Sequence, residues 1–148
     1  MSTTLPEFDV TSDATSDGTA FDVAGDQHAP VMVLIHGLGL CRRLWDDHLP
    51  AFAARYRVVR YDLYGHGDSA PPPQAPSLAV YAGQLASLLD HLGVASAVIV
   101  GFSIGGMINR RFAMDYPDRA AALVILNSPH DRGSAAQAAV EARAAAVR

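Results

Sequence analysis

Short, continuous apolar segments alternate along this chain with segments of helical spacing, and few folds satisfy that pattern. The first segment, Val31–Ile35, contains no polar residue, which is typical of a strand buried on both faces of a sheet. Three further runs follow at Arg57–Tyr61, 97–100 and 121–126. Because a strand, a helix and another strand repeat three times, the pattern predicts an α/β fold. Its sheet should be mostly parallel, with right-handed crossovers and flanking helices.

The segments between these runs carry residues that begin and end helices. A first helix over 44–52 is expected to break or restart at Pro50. A second is predicted between Ser77, which can cap its amino end, and Gly93, which can stop it. A third is predicted over 104–116, where it is followed by proline.

The rest of the chain divides by composition. Residues 1–17 are acidic and polar, which predicts a mobile tail. The run 19–23 alternates enough to predict an antiparallel strand at one sheet edge. We therefore expect one core over 18–133, followed by an alanine-rich helix over 134–148.

Composition excludes several classes of protein. The chain has 148 residues, a net charge of −4 and eleven arginines without a basic stripe, which argues against a nucleic-acid partner. Cys41 is the single cysteine, so no internal disulfide can form. The first eighteen residues lack the features of a secretory signal, and no apolar stretch is long enough to span a membrane. These features predict a soluble, cytoplasmic protein without membrane contact, while its oligomeric state stays open.

The segment Gly101-Phe102-Ser103-Ile104-Gly105-Gly106 lies between an apolar run and a predicted helix. A G-x-S-x-G sequence in that position is typical of a nucleophile elbow, in which the serine hydroxyl projects above the sheet from a sharp turn. Side chains at Gly101 or Gly105 would collide with neighbouring backbone. The alternative is a tight turn that does no chemistry.

The segment His36-Gly37-Leu38-Gly39 directly follows the first buried run. Acyl transfer needs two backbone N–H donors that point at the developing oxyanion. The best candidates are the amides of Leu38 and of Ile104, the residue after the serine. We expect His36 to brace backbone rather than to transfer protons.

A third loop, 61–69, follows the second buried run and has the sequence YDLYGHGDS. Asp62 and Ser69 can bind local backbone, so the loop is expected to be architectural, with His66 a structural histidine. Residues 65–70 formally satisfy the G-x-G-x-x-A pattern of dinucleotide sites. Three prolines follow where the phosphate-binding helix would begin, which argues against that function.

Together, HGLG, YDLYGHGDS, GFSIGGM and the later YPDR resemble the α/β-hydrolase family, in particular its bacterial lactonase, esterase and carbon–carbon hydrolase branches. The resemblance covers about residues 18–130. It implies an α/β-hydrolase fold, a Ser-His-Asp triad with Ser103 as nucleophile, and no metal or cofactor. The substrate would be a small ester or lactone, cleaved by two-step acyl transfer.

In the family, the acid and the base lie in the carboxy-terminal half. The resemblance therefore predicts a fold truncated after the strand that follows the nucleophile helix, with 134–148 as the start of a cap helix. An inactive half-domain remnant or binding module is the alternative. Haloperoxidase, carbon–carbon hydrolase and acyltransferase chemistry also remain open, because relatives with these activities share this half of the fold.

Several side chains have a plain and a functional interpretation. Cys41 is expected to be a packing residue rather than a reactive thiol. The pairs Arg42-Arg43 and Arg110-Arg111 are expected on solvated helix faces. His130 with Asp131 follows the last apolar run and is the only makeshift base-and-acid pair that the pattern offers.

Overall fold

The computed structural model describes residues 8–146, and four neighbouring parallel strands make up most of its sheet. The sheet has six strands in the order β1-β2-β4-β3-β5-β6. The four apolar runs are its parallel strands, so the predicted fold class is confirmed. The strands are β1 (Val10–Ala14), β2 (Ala20–Ala24), β3 (Val31–Ile35), β4 (Arg57–Tyr61), β5 (Ala97–Phe102) and β6 (Ala120–Leu126).

Two antiparallel strands extend the sheet beyond β4. The prediction of a strand near 19–23 is confirmed, but its place at the edge is wrong, because β1 pairs with its outer side. The prediction of a mobile tail over 1–17 is likewise wrong at residues 10–14, which form the strand β1. All five β1 side chains are exposed, so backbone hydrogen bonds to β2, rather than apolar burial, hold this strand. Residues 1–7 of that tail lie outside the described residues.

The helices cover both faces of the sheet. They are α1 (Leu49–Ala53), α2 (Leu78–His91), α3 (Ile104–Asp115) and α4 (Ser134–Ala146). As predicted, the Ser77 hydroxyl caps α2, accepting from the Val80 N–H at 3.2 Å. The helix predicted over 44–52 is instead a 3₁₀ turn, Arg42–Trp45, followed by α1, which restarts with Pro50 in its first turn.

Alternation along each central strand divides the core into two layers. In β3, Val33 and Ile35 pack with α2 and α3 on one face, while Met32 and Leu34 pack with Trp45 and α1 on the other. Burying a side chain of this size stabilises the fold by roughly 1.5–3 kcal/mol. Both faces of β3 therefore contribute, which explains its uninterrupted apolar sequence.

The last strand, β6, lies at the other edge of the sheet and is poorly covered. Val124, Ile125 and Leu126 are each about 40% exposed. The helix predicted after it is present as α4, but no α4 residue is buried and only Val140 is half-buried. Within residues 8–146, no helix has both the length and the apolar character needed to cross a lipid bilayer.

Candidate active site

Ser103 lies at the sharp turn between β5 and α3. Its backbone has φ 55° and ψ −117°, and a positive φ is uncommon for any residue but glycine. Such a conformation costs on the order of 1–3 kcal/mol and persists only where its surroundings hold it. Here the Ser103 N–H donates to the Leu126 carbonyl oxygen at 2.9 Å, and the Gly106 N–H donates to the Ser103 carbonyl oxygen at 3.0 Å. The end of β6 therefore helps to hold the turn.

The glycines around Ser103 stand where other backbone segments come very close. A Cβ atom on Gly101 would lie 2.1 Å from the Gly105 carbonyl oxygen. One on Gly105 would lie 2.6 Å from the Ile35 carbonyl oxygen, and one on Gly106 would lie 2.5 Å from the Ser128 Cβ. These glycines therefore let α3 approach the ends of β3 and β5 closely enough to form the turn.

Ser103 lines an open cleft of about 580 Å³ together with Leu38 and Ile104. Leu38 belongs to the loop after β3 and is 69% exposed. Ile104 is the first residue of α3, so its N–H has no carbonyl partner within the helix, and the positive end of the helix dipole lies there. The cleft thus combines the Ser103 hydroxyl with the two residues whose amides are predicted to stabilise an oxyanion.

His36, at the carboxyl end of β3, is fully buried and braces backbone. Its Nε2 accepts from the Leu63 N–H at 3.0 Å, so the proton is on Nδ1, which donates to the Gly37 carbonyl oxygen at 2.8 Å. Burial lowers the pKa of His36, and the hydrogen bond to Gly37 opposes that shift without cancelling it. Both ring nitrogens are occupied, which leaves neither free to take a proton from Ser103.

Asp62 organises the loop that follows β4. Its carboxylate is buried, accepts from the Arg42 N–H (2.6 Å) and the Asp68 N–H (2.9 Å), and forms an ion pair with the Arg42 guanidinium. Its carbonyl oxygen accepts from the Ser69 hydroxyl at 2.7 Å. The interpretation of Arg42 as a solvated side chain is therefore wrong. Its guanidinium also pairs with Asp22 of β2 and so connects this loop to the sheet.

Arg110 is also bound within the protein, so the expectation of a solvated helix face is wrong for this residue. Its guanidinium donates to the Pro129 carbonyl oxygen (2.8 Å) and to the Ser128 carbonyl oxygen (3.2 Å), which holds the segment after β6 against α3. Its neighbour Arg111 forms an exposed ion pair with Asp115 at 2.7 Å. Arg110 is thus a structural residue of the region beside the Ser103 turn.

No histidine is brought to Ser103. Within residues 8–146, the Ser103 hydroxyl has no hydrogen-bond partner and no histidine forms an ion pair with a carboxylate. His130 and Asp131 line a neighbouring cleft with Met107 and Arg132, rather than the cleft of Ser103. The described residues therefore supply a hydroxyl and amides but no base-and-acid pair.

Sequence reasoning missed several polar and cleft residues. Buried Gln84 accepts from the Tyr64 N–H and donates to the Asp62 carbonyl oxygen and the Thr19 hydroxyl. Met107 lies one helical turn beyond Ile104 in the cleft, and helical spacing from the Ser103 turn could have found it. The remaining cleft residues that no pattern indicated are Arg132, Val140, Arg143 and Ala144.

Comparison with known proteins identifies the family of the chain. The family model for the alpha/beta hydrolase fold matches residues 30–146. Over 109 residues the chain is 36% identical to epoxide hydrolase 4 of Mus musculus, a match that covers 72% of this chain and 30% of that protein.

Two solved structures are also similar. One is a hydrolase from Pseudomonas aeruginosa PA01, with a TM-score of 0.77 and 35% identity, covering 91% of this chain and 52% of that one. The other is the naproxen esterase (carboxylesterase NP) of Bacillus subtilis, with a TM-score of 0.75 and 26% identity, covering 82% and 44%. The chain thus spans between about a third and about half of the length of these relatives. Matched over most of its own length by the family model, it belongs to the α/β-hydrolase fold family.

Proposed function

We propose that this chain carries the nucleophile and oxyanion half of a serine hydrolase that cleaves esters or lactones by two-step acyl transfer. The observation that carries the proposal is the backbone of Ser103, at φ 55° and ψ −117°, in a cleft shared with Leu38 and Ile104. A conformation this costly, at a residue with a reactive hydroxyl, is typical of a functional position.

In the proposed first step, the Ser103 oxygen attacks the substrate carbonyl carbon and its proton passes to a histidine base. The carbonyl electron pair moves onto oxygen, and the N–H groups of Leu38 and Ile104 stabilise that charge. The bond to the leaving alcohol then breaks as the histidine returns the proton. An acyl group remains on Ser103. Water then attacks its carbonyl carbon and gives up a proton to the histidine, which returns that proton to the Ser103 oxygen as the acid leaves.

The base and its acid partner are proposed to lie in the part of the relatives' length that this chain does not span. Within residues 8–146, Ser103 has no histidine partner. That observation also favours a second candidate, in which residues 8–146 bind a ligand without turnover. Triad members act as a unit, so without its base Ser103 should react on the order of 10⁴-fold more slowly or worse.

An ester is preferred among the hydrolase substrates because a serine oxygen, two amides and an apolar cleft suit attack on a carbonyl carbon. The name of the Bacillus subtilis relative, an esterase, supports the same class. Carbon–carbon hydrolysis, acyl transfer to other acceptors and haloperoxidase chemistry share this half-site and are outcomes of the test.

The test measures hydrolysis of p-nitrophenyl butyrate by two proteins. The first is the product of the longest reading frame that contains this sequence, and the second is the 148-residue chain alone. The proposal expects turnover by the former that falls at least about 10³-fold in Ser103→Ala. Ser87→Ala, at an exposed serine of α2, is the matched control and should keep full activity. Turnover that survives Ser103→Ala would refute the proposal.

A further inference from the structure

Two arginines lie in the otherwise apolar cleft of Ser103. Arg132 is in the segment between β6 and α4 and is half-buried, and Arg143 is an exposed residue of α4. Apart from Ser103, every other residue that lines the cleft is apolar, namely Leu38, Ile104, Met107, Val140 and Ala144. The cleft therefore has two positive charges and no acidic lining residue.

Neither guanidinium is paired with a described residue. Across residues 8–146, Arg132 and Arg143 form no ion pair and no side-chain hydrogen bond, whereas Arg42, Arg60 and Arg119 each pair with an aspartate. The acids nearest in sequence do not line the cleft of Ser103, although Arg132 also lines the neighbouring one. Asp131 lines the neighbouring cleft, and Glu141 accepts from Gln137 at 2.8 Å on its own helix.

This local excess of positive charge is opposite to the charge of the whole chain, which is −4. A guanidinium presents a planar fork of donors that matches a carboxylate, and an apolar surrounding strengthens such a contact compared with open solvent. Unpaired arginines on an apolar wall beside the nucleophile therefore indicate a ligand that brings its own negative charge.

We propose that Arg132 and Arg143 select a substrate that carries a carboxylate in addition to the bond that is cleaved, such as the half-ester of a dicarboxylic acid. The cleavage itself rests on the function proposed above, but recognition of the carboxylate does not depend on Ser103. The two parts can therefore be tested separately.

The test measures binding of monomethyl glutarate by saturation-transfer NMR titration, with dimethyl glutarate as its neutral counterpart. Protein carrying Ser103→Ala is used, so that neither ester is consumed. We expect monomethyl glutarate to bind at least fivefold more tightly than the diester. Arg132→Gln and Arg143→Gln should each weaken its binding about two- to fivefold, and the double variant about tenfold.

Arg55→Gln is the matched control, since Arg55 is exposed, lies outside the cleft and forms no ion pair with any described residue. It should leave binding of both esters unchanged. Should the double variant fail to fold, binding by protein that retains both arginines can be measured at increasing salt concentration. Salt screens exposed charges and so weakens the same contact. Affinity for monomethyl glutarate should then fall while that for dimethyl glutarate stays constant.

Equal affinity for the two esters, or equal loss in Arg55→Gln and the double variant, would overturn the inference. Hydrolysis of neutral esters with no preference for the half-ester would also overturn it and leave the proposed acyl transfer intact. Arginine-dependent binding by a protein whose Ser103 proves unreactive would support the carboxylate site and remove the acyl transfer.

Discussion

The Ser103 N–H donates to the Leu126 carbonyl oxygen at 2.9 Å, which ties the turn at the head of α3 to the last residue of the edge strand. The segment that follows β6 is tied to α3 as well, through the hydrogen bonds of Arg110 to Ser128 and Pro129. The geometry of Ser103 thus depends on a strand that packs poorly.

Replacing Gly101 with alanine should destabilise the protein by about 3 kcal/mol or more. The new Cβ would lie 2.1 Å from the Gly105 carbonyl oxygen, and backbone on both sides of the turn would have to move. Urea unfolding measures the change in the free energy of unfolding. Gly83→Ala is the control, because nothing lies within 4 Å of its Cβ position, and it should be neutral or stabilising by up to about 1 kcal/mol. Similar effects of the two substitutions would contradict the close approach of the helix.

Replacing Asp62 with alanine should destabilise the protein by roughly 3–5 kcal/mol. The substitution removes the acceptor of two backbone N–H groups and leaves the half-buried Arg42 guanidinium without its innermost partner. Chemical denaturation of Asp62→Ala should be compared with that of Asp47→Ala, at an exposed carboxylate, which should change stability by less than about 0.5 kcal/mol. A small effect at Asp62 would show that the loop does not depend on its carboxylate.

The stability of the protein should fall as the pH drops below about 6.5, in part because of His36. Burial lowers the pKa of His36, so the folded state keeps the ring neutral while the unfolded state takes up the proton. This contribution to stability is present above the unfolded pKa and is lost as the pH falls toward the folded one. The free energy of unfolding, measured from pH 7.5 to 5.5, should therefore vary less in His36→Asn.

The same variant should be less stable at pH 7.5 by about 1–3 kcal/mol, since the buried Leu63 N–H loses its acceptor. His28→Asn, at an exposed histidine, should leave the stability at that pH unchanged. An unaltered pH dependence in His36→Asn would show that its protonation is not coupled to folding.

The 148-residue chain should self-associate through β6. Within residues 8–146 no strand pairs with its outer side, and three of its apolar residues are each about 40% exposed. Such edges pair with other chains. Ile125→Lys should shift sedimentation velocity profiles toward monomer. Met114→Lys, which charges a large apolar but more exposed residue of α3, should not. A monodisperse monomer of the unaltered chain would contradict the prediction.

The sequence was most informative where burial or a backbone constraint selects the residue type. Continuous apolar runs predict the four parallel strands, and the Ser77 cap and Gly93 stop mark α2. The edge strand β1 was missed because its five exposed side chains carry no periodic signal, and its pairing relies on backbone groups that every residue has.

Long polar side chains were missed for a different reason. Gln84 binds Thr19 across 65 residues of sequence, and Arg42 binds Asp62 across 20, so neither partner is visible from local spacing. Arg132 and Arg143 line the cleft of Ser103 through the placement of the segment after β6 and of α4, respectively. The elbow, in contrast, could be recognised because Gly101, Ser103 and Gly105 lie within five residues of each other, and the Gly101 contact is with Gly105 itself.

The most direct test of the central claim is covalent labelling with an activated alkyl phosphonate, followed by peptide mass spectrometry. In the protein encoded by the longest reading frame that contains this sequence, a single adduct is expected, on the peptide that contains Ser103. It should disappear in Ser103→Ala and persist in Ser87→Ala. An adduct that survives Ser103→Ala, or that maps to another serine, would contradict the account.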